Sequence, residues 1–197
     1  MKTYLALGDS YTIGEQVILE ENFPNQAVAM LKGKVAAPQI IATTGWTTDE
    51  LYAAINEANI TATFDIVTLL IGVNNQYRGK PLKNFVVEFE HLLQRAIQFA
   101  NNISNHVIVL SIPDWSVTPF AEDRDRQKIA EEIDAYNLVC KNAAQKFKTH
   151  YIDITTSQRL DGNKDEFLAA DKLHPSGKEY KKWAEKVAAK ISEIHSL

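Results

Sequence analysis

Two stretches of this sequence, Gly8-Asp9-Ser10 and Asp171-Lys172-Leu173-His174-Pro175, hold the residue types that nucleophilic chemistry needs. A serine hydroxyl attacks well only with a base in hydrogen-bond reach and a third group holding that base in the right tautomer. Ser10 follows an apolar run, Tyr4, Leu5 and Leu7, that is too short for a helix and is broken by Gly8. This places Ser10 at the carboxyl end of a strand, where open parallel sheets form their ligand crevice. Taken alone, Gly-Asp-Ser is more often ordinary turn chemistry, with Ser10 capping the next backbone N–H groups.

The base must come from five histidines. His91 falls in the polar stripe of a long helical pattern, His106 and His150 precede strands at the opposite edge, and His195 lies in the tail, so each reads as a surface residue. His174 differs, since it sits in a loop directly before the last helical pattern. Pro175 suits a helix start and restricts the backbone of His174. Asp171, three residues earlier, is spaced to meet one ring nitrogen while the other faces outward, although it also suits a simple turn cap. Acyl transfer further requires donors for the oxygen that turns negative. The backbone N–H groups of Ser10 and Gly45 and the side-chain amide of Asn74, each after a strand, are candidates; Asn74 and Asn75 are also common turn residues.

The elements that would carry these residues alternate. Strands are expected near Leu5–Leu7, Val35–Ile41, Asp65–Ile71, Val107–Ile112 and Tyr151–Ile154. The third is a continuous β-branched run of the kind covered on both faces of a parallel sheet. Helical spacing marks Phe23 to Leu31, with Pro24 in its first turn, a segment after Thr47 or Thr48, Phe85 to Ala100, Ile129 to Phe147 and Tyr180 to Ile194. Tyr11 to Glu21 reads as a loop. Five strands alternating with helices imply one α/β domain over residues 1–197, with a five-stranded parallel sheet between two helical layers. Ser10, Gly45, Asn74 and Trp115 all follow strands and therefore share one edge of the sheet.

Composition narrows the class. The 197 residues suffice for one domain, and 45% hydrophobic with 23% charged residues is a globular balance. A formal charge of −4 argues against nucleic-acid partners, which call for a basic stripe. Lys178, Lys181, Lys182 and Lys186 alternate with Glu179 and Glu185 and read as a solvated helix face. The single cysteine, Cys140, forbids an intramolecular disulfide and any multi-thiolate metal site, and its neighbours at helical spacing mark it as core. No apolar stretch is long enough for a membrane span. Met1-Lys2 leads straight into the first strand without a leader pattern, so a cytoplasmic location is expected.

With these residues assembled, the chain resembles the SGNH hydrolases, the GDSL lipase and esterase family. Gly8-Asp9-Ser10-Tyr11 looks like its first block, Thr44-Gly45-Trp46-Thr47 its second, Gly72-Val73-Asn74-Asn75 its third and Asp171-Lys172-Leu173-His174-Pro175 its fifth. The blocks run in family order along essentially the whole chain. The resemblance implies a three-layer α/β/α sandwich of flavodoxin-like type and a serine esterase without metal or organic cofactor. Ser10 is then the nucleophile, His174 the base, Asp171 its orienter, and Ser10, Gly45 and Asn74 the oxyanion hole. One position departs: the third block usually ends in Asp, and here it is Asn75, so the neighbouring loop is expected to be held differently.

The expected substrate is a small-molecule ester, with Trp46, Asn75, Tyr77 and Trp115 as possible pocket residues; acyl length and oligomeric state are not readable. A carbohydrate O-deacetylase or an acyltransferase on the same fold are alternatives. The non-enzymatic alternative is a flavodoxin-like binding module, with Ser10, Thr12 and Gly14 around an anion. Asp9 speaks against it, because a carboxylate repels phosphate.

Overall fold

A computed structural model describes all 197 residues. Its strands are β1 (Tyr4–Gly8), β2 (Gln39–Ala42), β3 (Ile66–Leu70), β4 (Val107–Leu110) and β5 (His150–Ile152). They form one parallel sheet in the order β2-β1-β3-β4-β5. The helices are α1 (Ser10–Ile13), α2 (Phe23–Met30), α3 (Thr48–Glu57), α4 (Val73–Tyr77), α5 (Leu82–Phe99), α6 (Arg126–Phe147), α7 (Thr155–Asp161) and α8 (Gly177–His195).

From β1 the chain moves outward to β2, then crosses to β3 and proceeds the other way. Right-handed crossovers put helices on opposite faces when the direction reverses. Accordingly α2 packs with α8, and α5 packs with α3 and α6. The result is the three-layer α/β/α sandwich expected. The reversal opens a crevice between β1 and β3 at their carboxyl ends, the usual ligand position in this topology. Register pairs Gly8 with both Ala42 and Leu70, so the three strands end level with one another.

The core follows from patterning. β1 and β3 are buried at every position, and α5 turns Phe85, Phe89, Leu92, Leu93 and Ala96 inward from one face. Each large apolar side chain so buried contributes roughly 1.5–3 kcal/mol. Helix starts are chemically marked. Asn22 accepts from Asn25 N–H at 2.9 Å ahead of Pro24, and the Glu50 side chain accepts from Thr47 N–H at 2.9 Å to begin α3. Cys140 is fully buried on α6, as expected of a core residue.

Several boundaries differ from the sequence expectations for identifiable reasons. The segment expected as a loop after Ser10 holds α1 and a 3-10 turn at Leu19–Glu21. The strand expected from Val35 begins only at Gln39, with Val35 making one isolated bridge to Lys2. Pro38 lies between them, and without an N–H it interrupts the ladder. β4 stops at Leu110 because Asn137 of α6 takes both the N–H and the carbonyl of Ile112, at 2.6 and 3.0 Å. β5 stops at Ile152 because the Ser111 hydroxyl captures the N–H groups of Ile154 and Thr155, at 2.8 and 3.1 Å. α7 lacks apolar periodicity and went unanticipated. No helix is long and apolar enough to cross a membrane.

Candidate active site

Ser10 owes its position to the two residues before it. A Cβ on Gly8 would lie 2.1 Å from Thr12 Oγ1 and 2.5 Å from the Leu70 carbonyl oxygen, so only glycine lets α1 fold back against the strand end. Asp9 caps α1 by accepting from Tyr11 N–H at 3.0 Å. Its other oxygen, Oδ2, is buried without a partner. Burial therefore outweighs the cap hydrogen bond and pushes the Asp9 carboxyl up to about 7. Ser10 is the first residue of α1, and its N–H, one of the donors a helix start leaves free, meets no acceptor in the protein.

His174 arrives on a closed loop. Leu168 and Pro175 form an antiparallel bridge, Ala169 N–H donates to the His174 carbonyl at 2.8 Å, and Ser176 N–H donates to the Phe167 carbonyl at 2.9 Å. Pro175 thus closes a small hairpin, and the last helix begins two residues later than it, at Gly177. Within the hairpin, Asp171 Oδ1 accepts from the N–H groups of Leu173 and His174, both at 3.0 Å. Its Oδ2 lies 2.6 Å from His174 Nδ1, and His174 Nε2 lies 2.9 Å from Ser10 Oγ. With the proton on Nδ1, the ring donates to Asp171 and accepts from the Ser10 hydroxyl. The Tyr11 ring packs 5.0 Å from the imidazole and fixes its plane. Burial works against ionisation of Asp171, but hydrogen bonds from the His174 ring and from two backbone N–H groups outweigh it and hold the carboxyl below the usual range.

Gly45 and Asn74 line the same cleft as Ser10 and His174, a space of about 240 Å³. Gly45 adopts φ +87°, a left-handed conformation, and its N–H has no partner in the protein. Arg78 donates to the Gly45 carbonyl and pairs with Glu50 at 3.1 Å, which ties this turn to α3. Asn74 Nδ2 donates one hydrogen to the Trp46 carbonyl at 3.0 Å and keeps the second. Three residues with unspent N–H donors, Ser10, Gly45 and Asn74, therefore line one cleft.

Of the expected pocket residues, Tyr77 and Trp115 line the cleft. Asn75 and Trp46 do not. Asn74 and Asn75 stand on the helix α4 instead of a turn, and the helical rotation that brings Asn74 to the cleft sends Asn75 inward, where it is fully buried. Trp46 packs its ring on the core and offers the site only its carbonyl. Tyr11, Thr44, Val73, Phe120 and Leu173 also line the cleft and were not anticipated. Leu173 carried a readable signal, an apolar residue beside His174 in a polar loop, whereas Phe120 comes from a distant turn.

The buried position of Asn75 explains its departure from Asp. Its Oδ1 accepts from Thr48 N–H at 3.1 Å, and its Nδ2 donates to Thr48 Oγ1 at 2.7 Å. The Thr48 hydroxyl gives its single proton to Glu88, so it can only accept from residue 75. An amide satisfies both contacts, whereas a carboxylate would keep the bond from Thr48 N–H but set its second oxygen against Thr48 Oγ1 with no proton between them. Asn75→Asp is accordingly expected to destabilise the fold by about 1–3 kcal/mol, the cost of an unsatisfied buried group. Denaturant unfolding of the variant measures it, and unchanged stability would contradict the assignment of the Thr48 proton.

The structure therefore holds a hydrogen-bonded Ser–His–Asp set at the carboxyl edge of a parallel sheet, within a three-layer α/β/α sandwich. Residues 6–182 match the model of the GDSL-like Lipase/Acylhydrolase family, and the chain belongs to that family. Comparison with curated proteins gives no match. Among solved structures, the chain is similar to a lipase/acylhydrolase from Enterococcus faecalis, with TM-score 0.72, 22% identity and coverage of 98% of this chain and 96% of that one. It is similar also to the psychrotrophic esterase EstA from Pseudoalteromonas sp., with TM-score 0.74, 15% identity and full coverage of both chains. A third similar structure is the acetylxylan esterase Axe2 from Geobacillus stearothermophilus, with TM-score 0.69, 20% identity and coverage of 96% and 94%. At these identities the likeness describes the fold.

Proposed function

We propose that this protein is a serine esterase that hydrolyses carboxylic esters through an acyl-enzyme on Ser10. The observation that carries the reading is the continuous path from Asp171 Oδ2 to His174 Nδ1, 2.6 Å, and from His174 Nε2 to Ser10 Oγ, 2.9 Å, joining residues 164 positions apart. In the first step the Ser10 oxygen bonds to the ester carbonyl carbon as its proton passes to His174 Nε2. The carbonyl oxygen becomes negative and is met by the N–H groups of Ser10, Gly45 and Asn74. The carbon–oxygen bond to the alcohol then breaks, and the alcohol leaves with the proton from His174. Water repeats the sequence, with His174 again taking a proton, and releases the acid and free Ser10. Asp171 stays ionised throughout and stabilises the imidazolium, consistent with its lowered pKa.

The cleft is walled by Val73, Tyr77, Trp115, Phe120 and Leu173, which suits an apolar acyl group. Its limited volume favours short acyl chains. A series of p-nitrophenyl esters from acetyl to palmitoyl tests this, with rates expected to peak at the short end. Incubation with a reactive alkylphosphonate provides the direct test of the nucleophile: a single phosphonyl adduct is expected on the peptide holding Ser10, with parallel loss of esterase activity. Modification elsewhere, or activity surviving full modification, would overturn the assignment. Asn74→Ala should lower kcat roughly 100- to 1000-fold with little change in KM, the usual effect of removing one oxyanion donor. Full activity in that variant would remove Asn74 from the oxyanion hole.

A further inference from the structure

An ester has two halves, and the apolar cleft accounts for only one. A second depression of about 420 Å³ adjoins the cleft, and Tyr77 and Trp115 line both spaces. Its volume lies within the range of small-molecule sites. One side is built by Gln76 and Tyr77 of α4, the other by Arg124, which precedes α6, and by Lys128 and Glu132 in the first two turns of α6. The partition between the two spaces is held in place. Tyr77 and Trp115 meet edge to face at 5.4 Å, Trp115 Nε1 donates to Gln76 Oε1 at 2.8 Å, and Gln76 Nε2 donates to Glu132 Oε2 at 2.8 Å. This chain fastens the aromatic wall to α6.

Resting on the esterase reading of Ser10, we propose that this groove receives the alcohol half of the substrate and that the alcohol is a sugar. A sugar ring presents apolar C–H faces and a rim of hydroxyls that both donate and accept. The groove offers the matching set. The half-exposed Tyr77 ring supplies an aromatic face, Arg124 and Lys128 donate, and Asp125 and Glu132 accept. Lys128 reaches Glu132 only at 3.9 Å, so its donors are not committed to an intramolecular bond. A hydrocarbon alcohol would strip water from these four charged groups without replacing its hydrogen bonds. A phosphate-bearing alcohol would meet two carboxylates along with the two cations. A neutral polyol satisfies both signs.

The test compares kcat/KM for an acetylated methyl xyloside, 1-naphthyl acetate and acetyl glycerol phosphate in the intact protein and in the double variant Arg124→Ala/Glu132→Gln. Glutamine at 132 retains an oxygen for Gln76 and so keeps the partition, and Arg124 is exposed. The intact protein is expected to prefer the xyloside ester. The variant should lose about 10-fold in the xyloside-to-naphthyl ratio, mainly through KM, the scale of lost charge-assisted hydrogen bonds. Methyl xyloside itself should inhibit naphthyl ester hydrolysis competitively, and less so in the variant. An unchanged ratio, or preference for the glycerol phosphate ester, would overturn the sugar assignment while leaving the esterase intact. Failure of the intact protein to hydrolyse any of the three would instead sink the esterase reading, and the groove's proposed role with it.

Discussion

Ser10→Ala is expected to lower ester hydrolysis by about a million-fold while the protein stays folded. The substitution deletes one oxygen atom whose hydrogen bond in the fold is to His174 Nε2 at 2.9 Å. The backbone N–H of residue 10 remains, as do Gly45, Asn74 and the apolar cleft. Residual catalysis of about 10³- to 10⁴-fold over water should therefore survive from the oxyanion donors and binding alone. Losing a single hydrogen bond costs roughly 1 kcal/mol of stability, so thermal unfolding should move by only a few degrees. Steady-state kinetics beside a melting curve separate the two effects. An active Ser10→Ala protein would show that another group attacks the ester. An inactive but unfolded one would mean that Ser10 matters to the fold, contrary to the hydrogen bonding around it.

The second large effect is expected at Asp171, where the conservative substitution is the informative one. Asp171 has two tasks: Oδ1 holds the N–H groups of Leu173 and His174, and Oδ2 faces His174 Nδ1. Asn at this position retains one oxygen for the backbone and so preserves the hairpin. Its amide then presents N–H to Nδ1, which must accept, and the ring proton moves to Nε2 beside Ser10. The histidine can no longer take the serine proton. A loss of about 10⁴-fold in kcat follows, the established scale for a base held in the wrong tautomer, with KM nearly unchanged. Asp171→Ala should lose the loop contacts as well, so its hairpin amides should exchange faster with solvent than those of Asp171→Asn. Wild-type rates in Asp171→Asn would show that the carboxylate shapes the loop and has no part in proton transfer.

Local signals carried much of the site. Gly8-Asp9-Ser10 reads as a strand end meeting a serine hydroxyl because an apolar run of strand length stops at a small polar residue, and the structure ends β1 at Gly8 and starts α1 at Ser10. Asp171 and His174 are three positions apart, so a short turn suffices to bring carboxylate and imidazole together. The boundaries that shifted did so through distant partners: Asn137 ends β4, Ser111 ends β5, and neither effect can be read along the strand it terminates. Pro38 is the exception, a local signal for the late start of β2 that an apolar pattern from Val35 to Ile41 overrode.

Asn75 and Phe120 show the limit most clearly. Whether Asn74 and Asn75 form a turn or the helix α4 decides which of them faces the cleft, and that rests on Thr48 and Glu88 waiting below Asn75. Phe120 reaches the cleft from a turn whose Phe120 N–H is bound by the Lys172 carbonyl, a contact between segments far apart in the chain. By itself the sequence determined the alternation of strands and helices and the α/β class, and it pointed to Ser10, His174 and Asp171 as the residues to bring together, because periodicity and residue type act over a few positions. Only the tertiary structure decided how far apart Ser10 and His174 stand, which asparagine lines the cleft, and that a polar groove lies beyond the aromatic wall. Those depend on packing between segments that the chain brings together from afar, and no local pattern encodes such distances.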